Sequence, residues 1–364
     1  MKLRFILLGA YLMSFACGKE EATLKFGLLV GGGYAEGAAL AVEEINEAGG
    51  IRGNKLVLVD TLASSSTDAP SAIEAALYYA SRKDILAVIG HENSPTSLAA
   101  SRIYNHQGLP QLIPDSTSPL LTQAGPWTFR VCVSDQLQGK FLADFVMDKF
   151  KDRKRIAVLY VNDDYGKGLK ETFVASLKEP PFQIVFQMPY FPNTDFNPLL
   201  IILKQKAPDL VFLAGRIDEA EKIYHYLKKS GLQLPLIGGD GLYRLNSIAE
   251  KAEEMEGMMM TMFFNPWDKS EKVQGFVQRY QTKFGQPPQA TAALTYDAVY
   301  LLKLALERGG LSRQKIRDYL ATVGSSNPAF EGVTGTIAFD ENGDCVKPLI
   351  IGVVKNATVV PMEN

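Results

Sequence analysis

The chain of 364 residues is longer than one hydrophobic core usually serves, so two domains are expected. Its 38 Lys and Arg residues nearly balance 40 Asp and Glu residues, for a net charge of -2, and the basic residues are scattered along the chain. That balance leaves no electrostatic footprint for nucleic acid or for an anionic membrane surface.

Residues 1–16 differ from the rest. Lys2 and Arg4 form a basic n-region, residues 5–15 an apolar stretch too short to anchor stably across a bilayer, and Ser14-Phe15-Ala16 a small-x-small cleavage site. The chain is therefore read as exported. Cys17 follows the cut and opens a polar tether over 17–22. The placement resembles a bacterial lipoprotein signal, with Ser14 where that pattern prefers Leu, so Cys17 is the expected lipidation site and plain secretion the alternative. Cys132 and Cys345 are far apart and lack metal spacing; they read as two buried thiols, or else as a disulfide in an oxidising compartment.

Residues 25–30 read as the first strand, and Gly31-Gly32-Gly33 turns it into a helix over 37–48 that Gly49-Gly50 ends. A strand over 55–59, a Ser/Thr loop over 60–68 and a helix over 70–81 follow. Residues 86–89 form a buried strand stopping at Gly90, and Ser94-Pro95 opens a helix with Ala99, Ala100, Ile103 and Tyr104 on one face. A second apolar run, 111–113, ends in Asp115-Ser116-Thr117-Ser118. Two adjacent strands thus deliver polar loops to one edge of a parallel sheet, where open α/β sheets bind ligands. Ser94 as N-cap, with Pro at the first helical position, turns free N–H groups and a positive dipole end toward that edge, which suits a carboxylate or phosphate. A serine that only caps its helix is the plainer reading.

Residues 127–133 read as a strand leaving this lobe, and 156–177 repeat the opening pattern of strand, loop and helix. Residues 210–240 then follow the order of 86–115: apolar strand, Gly, polar loop, helix, Gly-Leu, Pro, apolar strand, polar end. This internal pseudo-repeat predicts two doubly wound lobes, the second presenting Arg216 to Glu219 and Asp240 to Tyr243 at its ligand edge. Five prolines make 179–198 a loop around one strand, and Asn197-Pro198 starts a helix. A strand over 258–264 is expected to cross back toward the first lobe, which helices over 271–284, 290–309 and 314–323 complete.

Residues 336–339 and 347–355 predict a terminal hairpin through Asp340-Glu341-Asn342-Gly343-Asp344. That turn lacks the Gly at position six and the Glu at position twelve of a calcium loop, and reads as Asn-Gly turn chemistry. The expected domains are 23–131 plus 264–334 for lobe one and 132–263 plus 335–364 for lobe two. Three passages between lobes favour hinge closure around a ligand in the cleft.

The segments EGAALAVEEINEAGGIRG, AVIGHENSPTSLAAS, GLPQLIPDSTSP, FRV, YGKGL, TDFNPLL, LIGGDGL, TYDAVYLL and GVTGTIAFDENGD stand in this order over nearly the whole mature chain. In order and spacing the sequence resembles the type I periplasmic solute-binding proteins, specifically the leucine/isoleucine/valine-binding branch of transporter receptors. The resemblance implies an α/β Venus-flytrap fold, two doubly wound parallel-sheet lobes joined by a three-crossing hinge. It further implies a cleft that holds a free amino acid or close analogue by its α-carboxylate and α-amine. The closed, monomeric protein would then be presented to an ABC permease of the inner membrane, from the periplasm or cell envelope, with no cofactor.

Carried across residue by residue, Ser94 and Thr117 match the family's carboxylate-binding hydroxyls. Asp115 and Ser116 occupy the intervening positions, where backbone atoms contact the ligand. Tyr165 matches an aromatic that closes from lobe two, and Asp240 the acid that pairs with the amine; helix N-terminus and hydroxyls for the anion and Asp240 for the cation are complementary. From the residues alone, Asp240 reads as a turn residue, Thr117 as a cap and Tyr165 as a core aromatic. The first loop is shorter than the family's, which leaves Tyr34 as a candidate aromatic contact. Arg216 falls where branched-chain binders place an aromatic. Pointing inward it favours a ligand with a distal acceptor or carboxylate, unless Asp115 neutralises it; pointing outward it is a surface residue.

Other classes have weaker support. Gly31-x-Gly33-x-x-x-Gly37 with Asp60 after the next strand approximates a dinucleotide fingerprint, but its spacing is off. His91, His106 and His225 lack metal spacing, and neither a nucleophile elbow nor a Walker lysine is present, so no enzyme is expected. A ligand-sensing subunit that signals to a kinase or chemoreceptor would use the same cleft.

Overall fold

A short apolar strand followed by a Gly-rich turn and a one-faced helix buries both elements only when the helix lies back over the strand, and repeating that step builds a parallel sheet. The computed structural model describes residues 23–60, 68–178, 181–229, 231–250 and 252–362. The expected leader, Cys17, the 17–22 tether and the 61–67 part of the Ser/Thr loop lie outside the described residues.

In the first lobe the step yields β1 (Thr23–Leu29), α1 (Gly32–Glu47), β2 (Lys55–Asp60), α2 (Ala69–Ser81), β3 (Ile85–Gly90), α3 (Ser94–Gln107), β4 (Gln111–Ile113) and β5 (Thr128–Arg130). The strands are all parallel, in the order β2-β1-β3-β4-β5. Central β3 is buried along nearly its whole length, as a strand covered on both faces must be. Helix α1 starts five residues before the expected Gly37, and its first residue, Gly32, takes a φ of 49° that a side chain would resist. Tyr34 therefore rides on the first helical turn.

The second lobe contains α4 (Asp135–Lys149), β6 (Arg155–Val161), α5 (Asp164–Ser176), β7 (Gln183–Tyr190), α6 (Asn197–Lys206), β8 (Leu210–Ala214), α7 (Ile217–Lys229), β9 (Leu236–Gly238), α8 (Leu245–Glu250), α9 (Ala252–Met255) and β10 (Met259–Met262). Its parallel strands run β7-β6-β8-β9-β10, the order of the first sheet shifted by five strands. The pseudo-repeat read at 86–115 and 210–240 is thus β3-α3-β4 matched by β8-α7-β9.

The chain then returns to the first lobe. Helices α10 (Glu271–Phe284), α11 (Ala290–Arg308) and α12 (Arg313–Leu320) follow β10, and α11 packs along α1 so closely that a β-carbon at Gly37 would collide with the Ala292 backbone. A small hairpin, β11 (Phe330–Gly332) and β12 (Gly335–Ile337), precedes the last crossing, and β13 (Ile350–Lys355) with β14 (Thr358–Pro361) extends the second sheet antiparallel to β10.

The expected terminal hairpin shrinks to a single antiparallel bridge, Phe339 to Cys345, around its turn. Strand β12 pairs with β11, and β13 pairs with β10 and β14. The turn between them closes on itself, Asp340 Oδ1 accepting from the Asn342 and Asp344 N–H groups at 2.9 Å each, and Pro348 has no N–H to offer a ladder. Asp344 turns inward instead and meets Arg130 at 2.5 Å, an ion pair with 2 % and 9 % side-chain exposure that ties the first crossing to the third. Arg130 also donates to the Ser118 carbonyl at 2.8 Å, so the hinge reaches directly into the loop after β4. Cys132 and Cys345 are buried free thiols.

Candidate functional site

The C-terminal ends of both sheets face each other across a cavity of about 230 Å³. In open parallel sheets these ends carry the helix N-termini and polar loops, so the arrangement is what the topology dictates.

From the first lobe, Tyr34, Glu92, Asn93, Ser94, Asp115 and Thr117 line the cavity. The cap of α3 is Asn93, whose Oδ1 accepts from the Thr96 N–H at 3.1 Å; Ser94, expected to cap, is the first helical residue. Its hydroxyl accepts from the Ser118 N–H at 3.1 Å, which leaves the O–H available to donate. Tyr34 donates to Asp115 Oδ2 at 2.6 Å, and Glu92 Oε1 accepts from the Gly31 N–H at 2.6 Å. Ser116 stands behind this wall: its Oγ is 2.7 Å from Ser97 Oγ, it is buried, and it does not line the cavity.

From the second lobe come Tyr165 at the start of α5, Arg216 to Asp218 after β8, and Asp240, Gly241 and Arg244 after β9. Tyr165 Oη accepts from the Gly241 N–H at 3.1 Å and donates to Asp240 Oδ1 at 3.4 Å. Arg216 points inward, 5.4 Å over the Tyr165 ring, and pairs with Asp163 at 2.7 Å. Asp163 is also the cap of α5, accepting from the Gly166 N–H at 3.0 Å. The sequence offered Asp115 as the neutralising partner of Arg216; the structure supplies Asp163, because the loop before α5 lies beside the loop after β8, whereas Asp115 is engaged with Tyr34.

Burial in the cleft, with the Asp115 charge next, pushes the Asp240 carboxyl up to about 7. Burial likewise raises Asp115, against the opposing pull of Arg244 and Tyr34. Asp135, behind Asp240, is raised well above the carboxylate range by burial and then by the Asp240 charge. Tyr34 leads Asp115 and Asp240 in holding Arg244 more firmly protonated despite its burial. The site thus carries one carboxylate poised to ionise fully when a cation arrives, opposite a helix N-terminus with two hydroxyls.

Seven of the eight residues singled out from sequence meet at this cavity: Tyr34, Ser94, Asp115, Thr117, Tyr165, Arg216 and Asp240. Glu92, Asn93 and Arg244 were not singled out, and Asp218 was expected only as part of the loop Arg216 to Glu219. Their signal was positional, since each follows the C-terminal end of a strand, Asp218 in the first turn of α7 and the others in polar loops, the region where such sheets bind.

Two lobes of one topology, linked by three crossings and jointly lining one small polar cavity, define a hinged two-lobe binding protein. The chain matches the model of the Periplasmic binding protein family over residues 25–358 and belongs to that family. It is 30% identical over 311 residues to the Leu/Ile/Val-binding protein homolog 1 of Brucella abortus, covering 85% of this chain and 81% of the relative. Among solved structures, the branched-chain amino acid transporter substrate binding protein LivJ of Streptococcus pneumoniae, in complex with isoleucine, superposes with a TM-score of 0.83 at 28% identity, over 94% of this chain and 100% of that one. An ABC transporter substrate-binding protein of Desulfitobacterium hafniense in complex with Leu gives 0.79 at 32% identity, again over 94% and 100%. The family is one of solute-binding proteins, which displaces the dinucleotide enzyme suggested by the glycines of the first loop.

Proposed function

We propose that this chain is the extracytoplasmic solute-binding component of an ABC transporter, capturing a free amino acid or close analogue between its lobes and presenting it, closed and monomeric, to an inner-membrane permease. The observation that carries the reading is the division of the cavity walls. The α3 N-terminus, Ser94 and Thr117 form an anion-binding wall on the first sheet, and Asp240 with Tyr165 a cation-binding wall on the second. An α-amino acid carries both charges within one small unit, so it contacts both walls at once and shifts the lobes toward the closed state. The names of the relatives and the ligands in the superposed structures support the same class.

In this reading lobe one is 23–131 plus 264–337 and lobe two 132–263 plus 338–364, the expected boundary at 334 moved past β12 because β12 pairs with β11, with the Arg130–Asp344 pair at their hinge. Ser94, Thr117 and backbone atoms of the loop after β4 hold the carboxylate, Asp240 the amine, and Tyr165 closes over the ligand. Export through the leader and anchoring at Cys17 complete the proposal. A thermal-shift screen of the mature chain against the amino acids tests it: a ligand at 100 times its Kd adds about 2.7 kcal/mol of stability and raises Tm. A screen in which no amino acid raises Tm contradicts it.

A further inference from the structure

The side-chain end of the cavity does not match an aliphatic ligand. Among the described residues Ile217 is the one aliphatic side chain lining the cavity; the rest of the lining is carboxylates, guanidiniums, hydroxyls, two tyrosines, the Asn93 amide and Gly241. A leucine side chain closing there would meet the two tyrosine rings and Ile217, but would also strip water from the charged groups beside them without replacing their hydrogen bonds.

The charges lean to one sign. Arg216 is balanced by Asp163 at 2.7 Å, and Arg244 faces Tyr34 and Asp115, which are themselves joined at 2.6 Å. Asp240 shares the field of Arg244 with them, while Glu92 and Asp218 line the same space and form no ion pair with either guanidinium among the described residues. With Asp240 given to the α-amine and Asp218 exposed at the mouth, Glu92 is the acceptor left beside Tyr34 and Asp115. Its Oε1 takes one backbone N–H, from Gly31, and a carboxylate accepts several bonds more. A second carboxylate on the ligand would meet this negative surplus, whereas N–H groups would meet acceptors.

We infer that the ligand is an amino acid whose side chain ends in N–H donors, an ammonium, guanidinium or carboxamide, directed at Glu92 and Asp115. The inference rests on the amino acid reading above and narrows it. Calorimetry on the wild-type mature chain with lysine, arginine, glutamine, leucine and glutamate tests it. At least one of the first three is expected to bind about tenfold or more tighter than leucine and glutamate. Loss of tight lysine or arginine binding in Glu92→Gln, with Tm of the unliganded variant unchanged, would support a cationic side chain. Glutamine as the tightest ligand would support the carboxamide. Leucine or glutamate as the tightest ligand overturns the inference and leaves the amino acid reading standing. Binding of none of the five, when the wider amino acid screen also shows no shift in Tm, removes the reading itself and this inference with it.

Discussion

Gln138 holds Asp240 from two sides: its Nε2 donates to Oδ1 at 2.7 Å and its Oε1 accepts from the Asp240 backbone N–H at 2.8 Å. The same Nε2 reaches Asp135 Oδ1 at 2.8 Å, and the Thr261 hydroxyl donates to Oε1. A side-chain amide can do this because it carries donors and an acceptor together.

Replacing that amide removes several partners at once. Gln138→Leu is expected to cost about 1–3 kcal/mol in urea unfolding, since buried polar groups lose their bonds, and to weaken amino acid binding about tenfold by freeing the Asp240 carboxylate to turn. Unchanged affinity in calorimetry would mean that Gln138 does not orient the acid.

Protonation of Asp240 should couple to binding. With its carboxyl pushed up to about 7 in the unliganded cleft, the acid is ionised above that pH and protonated below it. An amine needs the ionised form, so affinity is expected to fall as pH drops through 7, with protons released on binding at pH 6. Calorimetry in two buffers of different ionisation enthalpy reads that release; no buffer dependence would contradict it.

The same raised carboxyl bears on stability with a definite sign. Between the unfolded value near 4 and about 7 the folded state binds the extra proton, so Asp240 costs stability progressively as pH rises through that window. Asp240→Asn is expected to melt higher than wild type at pH 8 without ligand and to show no such gain at pH 4.

Arg244 links the lobes through charge, standing on the second while facing Tyr34 and Asp115 on the first. Arg244→Met leaves Asp115 partly buried with only Tyr34 to support it, so the closed form should lose ground. Small-angle scattering of the unliganded variant is expected to give a larger radius of gyration than wild type. Identical profiles would mean that the guanidinium does not hold the cleft.

The hinge pair makes a stronger claim on stability. Arg130 and Asp344 are almost fully enclosed at 2.5 Å, so Asp344→Ala deprives a buried guanidinium of this carboxylate and should cost about 3–5 kcal/mol in denaturant unfolding. Because Arg130 also holds the Ser118 carbonyl, the variant is expected to bind ligand more weakly as well. A loss below about 1 kcal/mol would show that water reaches the pair.

Much of this was legible in the chain because parallel α/β units announce themselves. The runs ending at Gly90, Ile113 and Gly238 are short, apolar and followed by polar loops, and these placed the cavity edge and most of its residues. Less visible was α4, since its buried face mixes Asp135, Gln138 and Gly139 with Leu142, Ala143 and Val146, and no clean apolar stripe marks it. Gln138 was lost with it. The terminal hairpin was cut short for another reason: which strand β13 joins depends on β10, remote in sequence, while local turn chemistry spoke only for Asp340 to Asp344 and the one bridge beside it. The sequence left Arg216 pointing inward or outward; it faces the cavity, and its partner Asp163 lies 53 positions away, a distance no local pattern bridges.

The claim that one small zwitterion spans both walls is tested most directly by titrating Asp240→Asn with the amino acid that stabilises the wild type most, at pH 8. Removing the only acid assigned to the amine predicts about a 100-fold loss of affinity in a variant that still melts cooperatively. Equal affinity for the variant and the wild type would contradict it.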